Sequence, residues 1–275
     1  MANRGDLTNE QWERIEPLLP KLKTKRGRPA QEHRTVLNGI LWVLRTGAPW
    51  RDMPKRYGKW TTIYSRFQRW RKAEIWSRMF AELQTALDVE SNVDWEIHFI
   101  DSTTVRAHQH AAGAKKSPEQ EALGRSRGGF STKIHVRCEG TGRLITFLLT
   151  PGQESDIGQA EKLMEAGAIR RSSGQIRLRP KRVVADKGYT SQAFRKYLHQ
   201  KHIRCTIARR KNERRRGSFE KSQYRKRNII ERLINRLKQF RRIATRYEKR
   251  AVNFSAMITI ASIFLFSDFA YRLLQ

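Results

Sequence analysis

Acidic residues are scarce in this chain: 26 Asp and Glu stand against 57 Lys and Arg in 275 residues, for a formal charge of +31. Such an imbalance repels itself in a compact monomer and makes sense beside a polyanion. Nucleic acid is therefore the expected partner, with an anionic membrane surface as its competitor. Cysteine is nearly missing. Cys138 and Cys205 are far apart and lack CxxC or Cys/His spacing, which argues against a disulfide framework or a zinc site and fits a reducing cytoplasm. Long apolar runs are absent too. The most apolar stretch, FSAMITIASIFLF at 254–266, includes Ser255, Thr259 and Ser262 and falls short of the roughly 20 residues a membrane span needs. It is expected to be a buried helix. The opening MANRGDLTNEQW has no apolar h-region, so no signal peptide is expected.

What is present falls into two textures. Residues 7–88 carry helical spacing. Thr8 followed by Gln11 is a capping-box pattern, and Trp12, Ile15, Leu18 and Leu19 form the stripe that follows. A basic linker, KTKRGRPA (23–30), precedes VLNGILWVLRTG, where Val36, Leu37, Ile40, Leu41, Val43 and Leu44 repeat at helical spacing and Gly47 is the expected stop. A third helix is predicted from Thr61 to Lys72 with Ile63, Phe67 and Trp70 inward, and a fourth buries Ile75, Met79, Phe80 and Leu83. Short helices with a basic third element fit a helix-turn-helix-like module at 1–90, in which Arg66 and Arg69 contact DNA. A merely solvated basic face is the bland alternative. From Trp95 the chain turns to short β-rich runs (WEIHFIDSTTV, FSTKIHVRCEG, RLITFLLTPG, KRVVADKGY, IRCTIARR) separated by helical segments. An α/β domain is expected at 91–275, with a polar, exposed insertion at about 107–129.

Three acids stand out in the second region. Asp101 follows the apolar run IHFI and Asp186 follows RVVA. Either alone reads as a turn-capping Asp. If the two strands are neighbours, however, their ends set two carboxylates side by side, and oxygen-only ligands favour Mg²⁺ or Mn²⁺. The third acid is Glu231, in YRKRNIIERLINRLKQF (224–240), within a region from Arg209 to Arg250 that holds 18 Lys/Arg and 4 Glu. On one continuous helix, Tyr224, Arg227, Glu231 and Lys238 fall within a sector of about 60°. Ile230, Leu233, Leu237 and Phe240 form a separate apolar stripe, and Arg225, Arg232 and Arg236 a basic one. An i,i+4 pair with Arg227 explains Glu231 without any function. The sharper reading is a metal ligand flanked by phosphate-gripping neighbours. His108 and His110 have no third soft ligand nearby and read as a solvated loop.

The motif Y-x2-R-x3-E-x6-K at Tyr224, Arg227, Glu231 and Lys238, preceded by two strand-borne aspartates, resembles the DDE transposases of bacterial insertion sequences. LTNEQWERIEPLLP, GRPA, VLNGILWVLRTGAPWRDMPKRYGKW, IDSTTVRAHQHAAGAKK, GRSRGGFSTKIH, ADKGYTS and RLKQFRRIATRYEK extend the likeness to the insertion-sequence-five family over nearly the whole chain. The resemblance implies an RNase H-like catalytic domain, a mixed sheet flanked by helices. It also implies two Mg²⁺ or Mn²⁺ ions, bridged by Asp101 and completed by Asp186 and Glu231. The expected partners are double-stranded DNA, as terminal inverted repeats and target, and further copies of the chain in a homodimer or higher oligomer. The expected location is the bacterial cytoplasm, at the nucleoid. An inert DNA-binding regulator and an RNase H-like nuclease without strand transfer remain the alternatives.

Overall fold

The computed structural model describes residues 5–21, 31–90, 92–111, 120–126, 128–171, 173–210, 213 and 219–272, with side chains as far as Phe266. The linker at 23–30 lies outside the described residues, as do 112–119 and 127 of the anticipated insertion.

The helical half follows its sequence signals. Thr8 caps α1 (Asn9–Ile15) in a reciprocal box: its hydroxyl accepts from the Gln11 amide while the Gln11 side chain accepts from the Thr8 amide. α2 (His33–Thr46) stops at Gly47, whose φ of 73° is a conformation that a side chain would strain. α3 (Trp60–Lys72) and α4 (Ile75–Val89) complete this half. Ile63, Phe67 and Trp70 of α3 are buried, and so are Ile75 and Met79 of α4. Phe80 and Leu83 pack partly buried against the same core.

All five anticipated β-runs form strands of one sheet: β1 (Ile97–Ala107), β2 (Gly129–Glu139), β3 (Leu144–Pro151), β4 (Arg182–Ala185) and β5 (Arg204–Ile207). Their order is β3-β2-β1-β4-β5. The β3/β2 and β2/β1 pairs are antiparallel, and the β1/β4 and β4/β5 pairs are parallel. This is the RNase H-like arrangement. The centre strand is covered on both sides. Ile97, Phe99 and Val105 join the larger core, and Ile100 joins a second cluster with Leu163, Met164, Phe194 and Leu198. The latter come from α5 (Ala160–Ala166) and α6 (Gln192–Gln200). α7 (Lys221–Arg225), α8 (Asn228–Gln239), α9 (Arg241–Ala244) and α10 (Ala251–Arg272) follow β5. The run 254–266 is the buried helix anticipated, lying within α10. No helix among the described residues is long and apolar enough to cross a membrane.

Three expectations need correction. The segment 224–240 is not one helix: α7 ends at Arg225 and α8 begins at Asn228, so Tyr224 and Arg225 belong to a separate turn of helix. Asp101 does not end a strand but lies within β1, which continues to Ala107 because β2 keeps pairing as far as Arg106↔Ser131. The region 107–129 is not wholly an exposed insertion, since Ala111, Glu121, Ala122, Leu123 and Gly124 are buried and Gly124–Ser126 pairs with β2.

One apolar cluster runs from Leu7 to Phe266, so the helical half and the sheet share a core. Asp88, at the end of α4, adds a polar tie across this seam. Its buried carboxylate accepts from Trp95 Nε1 at 2.7 Å, Arg171 Nε at 3.1 Å and Arg177 Nη1 at 3.2 Å. Asp88→Ala strands the buried indole N–H and two guanidinium partners. It is expected to cost about 2–3 kcal/mol, read as a fall in the urea midpoint at unchanged slope.

Candidate active site

The parallel register of β1 and β4 pairs Ile100 with Ala185, and the next residue on each strand is an aspartate. Asp101 and Asp186 are thereby neighbours. Asp186 also caps the turn Lys187–Tyr189, accepting from the Gly188 amide at 2.7 Å. The bland reading and the sharp one therefore hold together at this residue. Asp101 Oδ1 accepts from the Ser102 amide at 2.8 Å, and its Oδ2 accepts from Arg227 Nη2 at 2.9 Å. Burial pushes the Asp101 carboxyl above the usual carboxylate range and Asp186 pushes the same way, against the Ser102 amide and Arg227.

Arg227 stands at the break between α7 and α8, where its side chain reaches β1. The same Nη2 lies 3.6 Å from Glu231 Oε1, so one guanidinium links Asp101 to Glu231. Burial works against its charge, but Asp101, Tyr224 and Asp186 together hold its pKa above the ordinary arginine value. The Tyr224 ring faces the guanidinium at 5.6 Å, so the helix break does not separate these two residues. The Glu231 side chain is 54% exposed and is joined to Asp101 through Arg227. Among the described residues, no three His, Cys, Asp or Glu side chains converge closely enough to enclose an ion. The donor set of carboxylate oxygens nevertheless suits a hard divalent cation, and Arg227 is the cation bonded to Asp101.

The remaining anticipated contacts are spread more widely. Lys238 is half-buried on α8, seven residues and so about 10 Å beyond Glu231 along the axis. Arg225 and Arg232 are exposed and Arg236 is half-buried, but the helix break splits them between α7 and α8. On α3, Arg69 is exposed, whereas Arg66 is partly buried, 3.0 Å from His33 Nδ1 and over the Trp70 ring at 5.5 Å.

A second group of residues, which no sequence motif marks, lies on the other side of β1. Ser102 Oγ donates to Asp156 Oδ1 at 2.6 Å, and Lys133 Nζ donates to the same oxygen at 3.0 Å. His135 is buried with Nε2 at 2.9 Å from Thr150 Oγ1. The Tyr189 hydroxyl is buried without a hydrogen bond of ordinary geometry. Its pKa is pushed well up by burial first and then by Asp156, Asp101 and Asp186. Period-two alternation was the available signal, since it puts Ser102 opposite Asp101 on β1 and sends Lys133 and His135 to one face of β2. Nothing local marked Asp156, in a loop after β3.

Asp101 in β1 and Asp186, directly after β4, thus stand side by side on an RNase H-like sheet, with Glu231 on a helix that follows. The chain belongs to the family described as "Transposase DDE domain", whose model matches residues 96–266. A second model, "Putative transposase of IS4/5 family", matches residues 7–80. Uncharacterized protein y4sN of Sinorhizobium fredii is 42% identical over 112 residues, covering 40% of this chain and 84% of that protein. A protein of Burkholderia cepacia described as "Putative transposase for insertion sequence element IS402" is 34% identical over 121 residues, 44% of this chain and 55% of its own length. Among solved structures, the piggyBac transposase synaptic complex with hairpin DNA is 13% identical, with a TM-score of 0.48 over 94% of this chain and 71% of that one. The Mos1 strand transfer complex is 13% identical with a TM-score of 0.28, over 78% of this chain and 79% of that one. The chain is thus a DDE-type transposase of the insertion-sequence kind.

The two interior histidines bear on stability. Burial lowers His135 to about 4, and lowers His98 well below the ordinary value, with Arg137 adding to the effect. Below about pH 6.5 the unfolded chain takes up protons that these folded sites refuse. Stability from them is therefore complete above that pH and falls toward pH 4, by up to about 1.4 kcal/mol per pH unit for each histidine. His135→Gln should flatten the decline in the urea midpoint between pH 6.5 and 5.

Proposed function

We propose that the protein binds the terminal inverted repeats of its own element, cleaves the DNA at the ends, and joins the freed 3′-hydroxyls to target DNA. The observation that carries this reading is the adjacency of Asp101 and Asp186 on parallel strands, with Arg227 linking Asp101 to Glu231. Asp101, Asp186 and Glu231 are the proposed ligands of two divalent ions, Mg²⁺ or Mn²⁺. When bound, such ions supply activation of the attacking oxygen and neutralisation of charge on the phosphate undergoing in-line displacement.

The chain's own side chains do the rest. Arg227 guards the negative charge of Asp101 in the free protein and turns to a DNA phosphate once Asp101 has another cation. Tyr224 holds the guanidinium in place through its ring. Lys238, farther along α8, steers the end of the duplex, while Arg225, Arg232 and Arg236 grip the backbone without regard to sequence. Residues 1–90 locate the repeat, with Arg66 and Arg69 of α3 against the duplex, and 91–275 perform the chemistry. Two or more copies bring the two ends together, at the nucleoid of a bacterial cytoplasm.

The test is incubation of the full chain with Mg²⁺ and linear DNA carrying the element's ends, followed by sequencing of the 3′ termini. Breaks at the element's ends joined to new DNA support the reading. Binding without breakage would favour a regulator, and breakage without joining a nuclease. Asp101→Asn, Asp186→Asn and Glu231→Gln should each lower cleavage and joining by at least about a thousandfold, non-additively, with end binding nearly unchanged. Near-parental cleavage by one variant would remove that residue from the site.

The basic residues separate by salt dependence. Arg232→Ala and Arg66→Ala should weaken duplex binding and flatten the slope of log affinity against log salt by about one for each phosphate no longer neutralised. Lys238→Ala should bind random duplex almost normally yet cut slowly or at the wrong nucleotide. Indistinguishable behaviour of Lys238→Ala and Arg232→Ala in both assays would refute the steering role.

A further inference from the structure

Asp156 is a fourth carboxylate at this centre. It lies in the loop between β3 and α5, on the side of the sheet opposite Arg227. Its Oδ1 takes two strong donors, Ser102 Oγ at 2.6 Å and Lys133 Nζ at 3.0 Å. Lys133 Nζ also donates to the Glu154 carbonyl at 2.6 Å, which ties the ammonium to the same loop. The ammonium sits in a largely enclosed place, its side chain only 14% exposed. Oδ2 points elsewhere. A Cβ placed on Gly188 would lie 3.3 Å from Asp156 Oδ2 and 2.9 Å from Asp186 Oδ1, so the two carboxylates flank one point of backbone. Gly188 is not in the left-handed region. What the position demands is the absence of a side chain between two carboxylates.

Two independent features show that this loop acid is more than a loop anchor. A capped turn or solvated loop would not enclose a lysine. The Tyr189 hydroxyl, 1% exposed at the residue level, lies three residues after Asp186, beside Ser102 and among the carboxylates of Asp156, Asp101 and Asp186.

We propose that Asp156 is a positioning residue of the Asp101–Asp186 centre. It anchors Ser102, and through it the backbone that presents Asp101. It also sets its second oxygen, with the Tyr189 hydroxyl, beside the turn that carries Asp186. Lys133 balances the added negative charge, so a fourth acid is tolerated where three already repel. Partners of this kind fix the orientation of the residues that hold an ion, and their loss typically weakens metal affinity about 10- to 100-fold.

The inference rests on Asp101 and Asp186 being metal ligands, and the experiment separates the two ideas. Mn²⁺ alone is titrated into the full chain without DNA, with free Mn²⁺ read by electron paramagnetic resonance, and each variant's melting temperature is measured without metal. Asp156→Asn retains an acceptor for Ser102 but loses the charge, and Gly188→Ala keeps every charge but inserts a methyl between the two carboxylates. Both should weaken Mn²⁺ binding about 10- to 100-fold, and both should cut end cleavage mainly through kcat. A role confined to loop stability would lower the melting temperature and leave Mn²⁺ affinity within twofold of the parent; that result overturns the inference while Asp101→Asn still abolishes binding. Equal Mn²⁺ affinity in Asp101→Asn and the parent would overturn the ligand assignment itself, and this inference with it.

Discussion

The pairing of β1 with β4 is the constraint on which the rest of the site depends. In its parallel register Ile100 faces Ala185, so the chain must carry Asp101 and Asp186 forward side by side from a buried base. Two carboxylates so placed repel each other, and burial raises the cost of their charge. Everything around them answers that cost. The Ser102 and Gly188 amides donate to one oxygen of each, and Arg227 supplies a full positive charge to Asp101. Lys133 does the same for Asp156 on the opposite side of the strand.

Burial of β1 on both faces explains why the molecule needs so much helix. One face is covered by α5 and α6, while the other belongs to a cluster that also takes in α1–α4 and α8–α10. The helical amino-terminal half is thus anchored through the same apolar contacts that hold the catalytic sheet. Burial also takes charged side chains into the interior. Arg137, Arg143 and Arg246 are almost fully buried. Arg137 is engaged by His98 and the carbonyls of Met164 and Leu178, and Arg246 by Thr132 and the carbonyls of Ala122, Glu248 and Lys249. These cations hold the interior together and offer nothing to a polyanion. Asp88, Glu121, Glu139 and Glu248 are buried as well, so among the described residues burial removes charge of both signs and the positive excess stays at the surface.

Most of the architecture was legible because it rests on periodicity. The five β-runs, the capping box at Thr8, the stop at Gly47 and the buried run at 254–266 are local patterns, and local hydrogen bonding or apolar spacing suffices to produce them. The helix break near Lys226 and Arg227 was not legible. No Gly or Pro marks it, and a continuous helix satisfies every propensity in YRKRNIIERLINRLKQF. The break occurs where Arg227 reaches Asp101, a residue 126 positions away in the chain. Burial gained by α8 on the sheet, joined to that ion pair, outweighs the hydrogen bonds of one helical turn. Strand length was misjudged for a related reason. Asp101 is a poor strand residue by itself, but the ladder with β2 runs past it as far as Arg106.

By itself the sequence determined the alternating and helical runs, which are written in residue type and short-range spacing, and its resemblance to the DDE transposases carried the RNase H-like class of fold. Only the tertiary structure decided how the acids stand to one another. Strand register made Asp101 and Asp186 neighbours, and the α7–α8 break put Arg227 between Asp101 and Glu231. The loop after β3 brought Asp156 to the far side of β1, beside Ser102, Lys133 and Tyr189. The physical reason is range. Hydrophobic periodicity and capping act over a few residues, whereas the compensation of buried charge is settled by whichever cations and donors the completed fold brings within about 3–4 Å.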